Sequence, residues 1–303
     1  GTVAGLNAML EKYGTMKLKD LIQPSIDVAN KGFALSDRQA ETFIEEYKRM
    51  QPFASTRKYF FKKDGKTTYK EGEILVQKDL AKTLQRIAKN GTKGFYEGET
   101  ADLIEKDMKK NGGLITKADL KAYKPVWREP VKGTYRGYEL ISMAPPSSGG
   151  THIIQILNVL ENADVKSMGY GSSEKIHLMA EAERYAYADR SEYMGDPDFV
   201  KVPVKELTSK AYAKKIYEAI RAAGKVAVPS QQVKPGQLLP ESLHTTHYSV
   251  ADFKGNAVSV TYTVNYTFGS GAAVDGAGFL LNDEMDDFSI KPGVPNAYGL
   301  VDR

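Results

Sequence analysis

Apolar residues recur every three or four positions over much of the first half of the chain. Leu6, Met9 and Leu10, then Leu18, Leu21 and Ile22, predict helices across residues 4–50. Leu80, Leu84, Ile87, Ile104 and Met108 repeat the spacing over 78–110, and Thr116 with Asp119 three residues on predicts a capped helix start. Between these stretches, Tyr59-Phe60-Phe61, a Lys-Lys-Asp-Gly-Lys turn and Thr67-Thr68-Tyr69 predict a short exposed hairpin within 58–76. The period falls to two over Val131–Ile141, which predicts strands. Pro145-Pro146-Ser147-Ser148-Gly149-Gly150 then reads as a loop running into a helix with Ile153, Leu157 and Leu160 on one face. A second helix is expected from Ser172-Ser173 to Tyr193, closed by Asp196-Pro197-Asp198. A lysine-rich helix is expected over 205–223, followed by a Pro/Gly/Gln loop over 228–240. The strongest β pattern comes last: Thr246–Asp252 and Ala257–Asn265 alternate on either side of a Phe253-Lys254-Gly255-Asn256 turn, a hairpin. The abrupt change of texture makes 244/245 the main internal boundary.

Composition narrows the chemistry. The 303 residues include 42 Lys+Arg against 38 Asp+Glu, a net charge of +4 spread along the chain, so no basic stripe marks a nucleic-acid partner. The absence of cysteine excludes a disulfide framework, a thiol nucleophile and thiolate zinc sites. No apolar run approaches 18 residues, so no transmembrane helix is expected. Of His152, His177, His244 and His247, only the last two show a His-x-x-His spacing, and no metal or cofactor is expected. Ser147-Ser148-Gly149-Gly150 matches neither a nucleophile elbow nor a P-loop and reads as a structural turn. Asp196-Pro197-Asp198 reads as a helix-ending turn rather than a calcium loop, and Tyr185, Tyr187 and Tyr193 as packing residues. Without an initiator methionine or signal peptide at Gly1, and with the chain closing at Arg303 just past a turn-rich stretch, both ends read as cuts inside a longer polypeptide.

Thr245 opens the late hairpin. A threonine hydroxyl needs a base beside it, and a threonine at a chain terminus carries one: its own α-amine, with a pKa of about 7.7–8.0. If paired residue numbers in the hairpin sum to 508, Thr245 lies opposite Thr263, with Asn265 two residues on along the same face. A sum of 509 would put Val264 there instead, and on propensity alone Thr245, Thr246, Thr261 and Thr263 are ordinary β-formers.

The residues around the hairpin are more specific. Glu241-Ser242-Leu243-His244-Thr245-Thr246-His247-Tyr248-Ser249-Val250 resembles the processing site of the γ-glutamyltransferases, members of the N-terminal nucleophile hydrolase superfamily. The resemblance continues through Gly255-Asn256-Ala257-Val258, Thr261-Tyr262-Thr263-Val264-Asn265, Phe268-Gly269, Leu280-Leu281-Asn282, Met285-Asp286-Asp287-Phe288 and Lys291-Pro292-Gly293-Val294-Pro295-Asn296. Upstream, Gly1-Thr2-Val3-Ala4-Gly5, Pro145–Gly150, Ala182–Arg190 and Gly195–Phe199 look like the large-subunit part of the same family, so the match runs over essentially the whole chain.

That resemblance implies an α+β fold, the four-layer α-β-β-α sandwich of the superfamily. It implies a precursor that cuts itself between His244 and Thr245, leaving a large-subunit segment, 1–244, associated with a small-subunit segment, 245–303. The freed Thr245 would attack the γ-amide of glutathione or glutamine and pass the γ-glutamyl group to water or to an amino-acid or peptide acceptor. Thr263 matches the threonine beside the nucleophile; Asn265, Glu284 and Asp287 match residues that hold the glutamyl end of the donor, where carboxylates pair with its α-ammonium group. No cofactor, metal, nucleic acid or membrane span is implied, and family members are usually exported, to the periplasm or outside the cell. Two positions stand out. Position 284 is Glu where the family also uses Gln, and Asp283 stands where Asn is expected, a charge that bears on its neighbours. The family's α-carboxylate-clamping arginine would lie before residue 1, and its Ser-Ser pair and Gly-Gly oxyanion hole beyond residue 303. Loss of one oxyanion donor costs about 10²–10³ in rate, so this chain alone is expected to be a poor enzyme. The rival readings are a related acylase or poly-γ-glutamate-processing enzyme, and a catalytically incompetent fragment or uncleaved precursor.

Overall fold

A computed structural model describes residues 1–224, 226–228, 233, 245–288, 291 and 294. In chain order its elements are α1 (Thr2–Tyr13), α2 (Leu18–Lys31), β1 (Phe33–Ala34), α3 (Asp37–Glu45), α4 (Tyr47–Met50), α5 (Ala54–Phe60), β2 (Ile74–Leu75), α6 (Lys78–Asn90), α7 (Lys93–Tyr96), α8 (Gly98–Asn111) and α9 (Lys117–Ala122). There follow β3 (Val131–Tyr135), β4 (Tyr138–Ser142), α10 (Gly149–Leu160), α11 (Ser173–Tyr193), α12 (Val204–Leu207), α13 (Lys210–Ala223), β5 (Thr246–Ala251), β6 (Ala257–Tyr262) and one 3-10 turn, Glu284–Asp287. The fold is mixed α and β. Among the described residues the strands form three separate two-stranded antiparallel sheets, β1–β2, β3–β4 and β5–β6. None of the described helices is long and apolar enough to cross a membrane.

Local chemistry explains most boundaries. Thr116 and Asp119 form the expected capping box of α9, and Ser36 with Gln39 forms another on α3. Ser172 caps α11 by accepting from the Lys175 N–H at 3.2 Å. The lysine-rich helix divides into α12 and α13, because Ser209 caps a fresh start by accepting from the Tyr212 N–H. The loop expected over 228–240 lies outside the described residues except at Val228 and Val233.

The exposed hairpin expected within 58–76 is corrected. Tyr59 and Phe60 finish α5, and only Phe61 pairs across the turn, in an isolated bridge with Thr68. The turn itself is real: the Asp64 carboxylate accepts from the N–H groups of Lys66 and Thr67 at 2.9 and 2.8 Å. Phe60 and Phe61 are buried beside Leu35, Phe43, Met50 and Leu75. Burying two aromatic rings outweighs their local strand preference, since each removes a large apolar surface from water.

Two compact units result. The first joins Gly1–Val126 with Ser242–Glu284; the second joins Trp127–Glu241 with Met285–Arg303. The first has its core around Phe43, Met50, Phe60 and Leu75, with a second cluster of Ile104, Met108, Val274 and Ala277. In the second, α10, α11 and α13 close over Val159, Leu160, Leu178, Ala182, Ile216 and Ile220.

Candidate active site

The late hairpin pairs Thr246 with Tyr262, His247 with Thr261 and Ala251 with Ala257. The pairing sum is therefore 508, the register in which Thr245 would fall opposite Thr263, one step beyond the last pair, Thr246 and Tyr262. The turn is shaped by Asp252, whose carboxylate accepts from the N–H groups of Lys254 and Asn256, both at 2.9 Å. Odd-numbered side chains share a face: His247 Nδ1 lies 2.8 Å from Thr261 Oγ1, and its Nε2 lies 3.2 Å from Ser259 Oγ. Both His247 nitrogens are thus engaged with hydroxyls of the hairpin itself. Thr245 is exposed; His244 and the bond before Thr245 lie outside the described residues.

Strand alternation placed Asn265 on the face of Thr263, and here the structure departs from it. The ladder stops at Tyr262, and Asn265 takes a left-handed backbone, φ 73°. Its N–H donates to Thr263 Oγ1 at 2.9 Å, and its side-chain Nδ2 donates to the Asp283 carbonyl at 3.1 Å. Asn265 is only 3% exposed.

The Asp283 contact exists because residues 266–283 fold back on themselves. Gly269, at φ 55°, permits the reversal: a Cβ there would sit 2.2 Å from the Leu281 carbonyl. Hydroxyls of the helices hold the returning segment. Thr56 Oγ1 donates to the Gly271 carbonyl at 2.8 Å and accepts from the Ala273 N–H at 2.9 Å. Thr83 Oγ1 donates to the Ala277 carbonyl at 2.9 Å, Tyr59 OH accepts from the Gly276 N–H at 2.6 Å, and Phe268 stacks on Phe43. The Asp283 N–H then donates to the Val264 carbonyl and Asp283 Oδ1 accepts from the Tyr266 N–H, both at 3.3 Å. Glu284 follows, its N–H donating to Asn282 Oδ1 at 3.0 Å, and opens the 3-10 turn that ends at Asp287. The first unit thus gathers Thr263, Asn265 and Glu284 around Asp283; Asp287 belongs to the second unit and is exposed.

Sequence reading missed the supports. Arg49 Nη1 lies 3.8 Å from Asp283 Oδ2, and its guanidinium stacks 3.5 Å above the Tyr266 ring. Thr56 and its partners are more than two hundred residues apart, a separation that no local pattern reveals.

The other motifs are structural where described. Ser148 Oγ accepts from Arg190 Nε at 3.3 Å, and a Cβ on Gly150 would meet the Met143 carbonyl at 2.1 Å, so the Ser-Ser-Gly-Gly run makes the turn into α10. Asp198 is held by a two-pronged Arg128 guanidinium at 3.0 and 2.8 Å, which keeps its carboxyl below the usual range and supplies the cation that its position faces. Tyr185 packs on the core of the second unit.

Thr245 thus lies exposed just before β5, while the fold-back of residues 266–283 ties Asn265 to Thr263 and to Asp283. The sequence profile described as Gamma-glutamyltranspeptidase matches residues 1–303. The chain belongs to the γ-glutamyltranspeptidase family. Within it, the glutathione hydrolase proenzyme of Escherichia coli strain K12 is 55% identical over 302 residues, 99% of this chain and 52% of that protein. The crystal structure of Helicobacter pylori γ-glutamyltranspeptidase superposes with a TM-score of 0.75 at 61% identity, over 78% of this chain and 66% of that one. A cephalosporin acylase from Bacillus halodurans superposes with a TM-score of 0.82 at 25% identity, over 99% of this chain and 55% of that one. The chain spans about half the length of the curated relatives it matches.

Proposed function

We propose that this chain is the central part of a γ-glutamyltransferase precursor that hydrolyses and transfers γ-glutamyl groups after cutting itself before Thr245. The observation that supports the reading is the hairpin register: its pairs sum to 508, the register in which an exposed Thr245, just before β5, would fall opposite Thr263. In the precursor, Thr245 Oγ attacks the carbonyl carbon of His244. The C–N bond breaks as the ester forms, the hydroxyl proton passing to the nitrogen and freeing the α-amine of Thr245; water then hydrolyses the ester, releasing the His244 carboxylate and restoring the Thr245 hydroxyl. That amine then accepts the hydroxyl proton as Oγ attacks the γ-carbonyl of glutathione or glutamine. The proton moves on to the leaving amine, and a γ-glutamyl ester of Thr245 remains. Water, or the amine of an amino acid or peptide, takes the acyl group and restores the hydroxyl. Thr263 supports the nucleophile. Asn265, Glu284 and Asp287 hold the glutamyl end, the two carboxylates pairing with its α-ammonium group. The chemistry needs no metal or cofactor.

The finer architecture belongs to the same reading: a four-layer α-β-β-α sandwich in which β5–β6 lies within a larger sheet, and a periplasmic or extracellular location. Family resemblance supports both. The segments 1–244 and 245–303 are the two products of the cut.

Intact mass under denaturing conditions tests the reading. The full-length protein is expected to show a new amino terminus at Thr245 and to hydrolyse a γ-glutamyl anilide about a hundredfold or more faster than a glutaryl anilide, which lacks the α-ammonium group. Thr245→Ala is expected to give one uncut species without either activity. Cutting that persisted in Thr245→Ala, or equal rates on the two anilides, would overturn it; the latter is the acylase outcome.

A further inference from the structure

We propose that Arg49 is a positioning residue for γ-glutamyl binding, acting through Asp283 to hold Asn265 and the start of the acidic turn. The inference rests on the function proposed above and adds a residue to it.

Asp283 joins two pieces of chain. Its N–H and carbonyl bond to Val264 and to Asn265 Nδ2, and its carboxylate to the Tyr266 N–H. Whatever fixes Asp283 fixes the amide of Asn265 and the point at which Glu284 enters its turn. Arg49 does this from a helix. It lies at the end of α4, its Nε bonded to Glu46 Oε2 at 3.0 Å, its Nη1 3.8 Å from Asp283 Oδ2, and its plane 3.5 Å over Tyr266. Its main-chain carbonyl abuts Gly271, where a Cβ would come within 2.7 Å. One residue therefore touches the returning segment at Tyr266, Gly271 and Asp283. The guanidinium also compensates the carboxylate at 283, the position where the family leads one to expect a neutral amide. An uncompensated carboxylate there would repel Glu284, its sequence neighbour, and pull the turn toward other cations. A planar guanidinium meets both the ring and the carboxylate, whereas lysine offers only a point charge.

The test uses the full-length protein and a γ-glutamyl anilide. Arg49→Ala is expected to raise KM about tenfold while kcat changes less than about threefold, because the lost interaction orders the binding groups and leaves Thr245 untouched. Cutting at Thr245 is expected to go to completion as in the parent. Arg49→Lys should recover part of the KM loss. In an Asp283→Asn background, Arg49→Ala should raise KM less than about threefold further, since the charge it compensates is gone. A parent protein without γ-glutamyl hydrolysis would sink the functional reading and this inference together. An active parent in which Arg49→Ala leaves KM unchanged would sink the inference alone, as would an equal KM penalty in the presence and absence of the Asp283 carboxylate. If Arg49→Ala does not fold, Arg49→Lys in the two backgrounds gives the same comparison.

Discussion

At the scale of single residues, Asn265 shows how the amide proposed to bind the donor is fixed. A non-glycine residue at φ 73° carries a backbone cost of about 1–2 kcal/mol, which asparagine tolerates better than most because its short polar side chain bonds locally. Here that side chain spans to the Asp283 carbonyl, so cost and contact occur at one position. The two can be separated. Asn265→Ala loses the bond and keeps the backbone cost; Asn265→Gly loses the bond and relieves it. The glycine variant is therefore expected to be more stable than the alanine variant by about 1 kcal/mol, while both raise KM for the γ-glutamyl donor. Paired thermal melts and steady-state kinetics check this; an alanine variant as stable as the glycine one would show that Asn265 is unstrained. Sequence alone identified Asn265 by resemblance and placed it on a strand face by alternation. The resemblance named a residue, but alternation assumes a continuing ladder, and the left-handed turn ends that ladder.

At the scale of elements, α10, α11 and α13 meet over a buried polar chain. His152 Nδ1 lies 3.0 Å from Gln155 Oε1, Gln155 Nε2 donates to Asp189 Oδ2 at 2.5 Å, and Tyr212 OH donates to the Asp189 carboxylate at 2.9 Å. Burial lowers the His152 pKa to about 4, helped by the charge of Arg190 and opposed by the Gln155 bond. The folded protein therefore holds this histidine neutral where the unfolded chain, near 6.5, would protonate it. The contribution is complete above pH 6.5 and is lost as pH falls toward 4, reaching about 3 kcal/mol. Asp189 acts in the opposite sense: burial raises its pKa, so stability falls as pH rises above its ordinary value. Comparing variants isolates the histidine. His152→Asn is expected to lower stability by some constant amount and to flatten its decline between pH 6.5 and 4, read as melting temperature against pH; a slope equal to the parent's would refute the assignment. None of this chain was legible in the sequence, because helical spacing marks His152 and Gln155 only as positions on one helix. The helices themselves were legible: caps at Ser172 and Thr116 and the apolar repeats over 78–110 are local signals. The 58–76 stretch was misread because the burial of Phe60 and Phe61 is decided by residues distant in sequence.

At the scale of the molecule, the proposed cut and the packing divide the chain differently, and the difference has a consequence. Cutting before Thr245 would separate 245–303 covalently from 1–244, yet residues 245–284 belong to one compact unit with Gly1–Val126, and residues from Met285 onward to the other unit. Val274, Ala273 and Ala277 are fully buried, and Phe268, Phe279, Leu280 and Leu281 pack onto the two cores of the first unit. Burial of each large apolar side chain contributes about 1.5–3 kcal/mol. Several of these, with the Thr56, Tyr59 and Thr83 hydrogen bonds, offset an association cost of about 4–15 kcal/mol. The two pieces are accordingly expected to stay together after cleavage. Size-exclusion chromatography of the fully cut protein should give one native peak whose denatured mass spectrum contains both pieces, and the smaller should separate only when denaturant unfolds the first unit. A smaller piece released under native conditions would show that residues 245–284 are held by the peptide bond rather than by the packing described above. The segment that carries the nucleophile would then need its chain connection to stay in place, which a self-cutting precursor cannot provide.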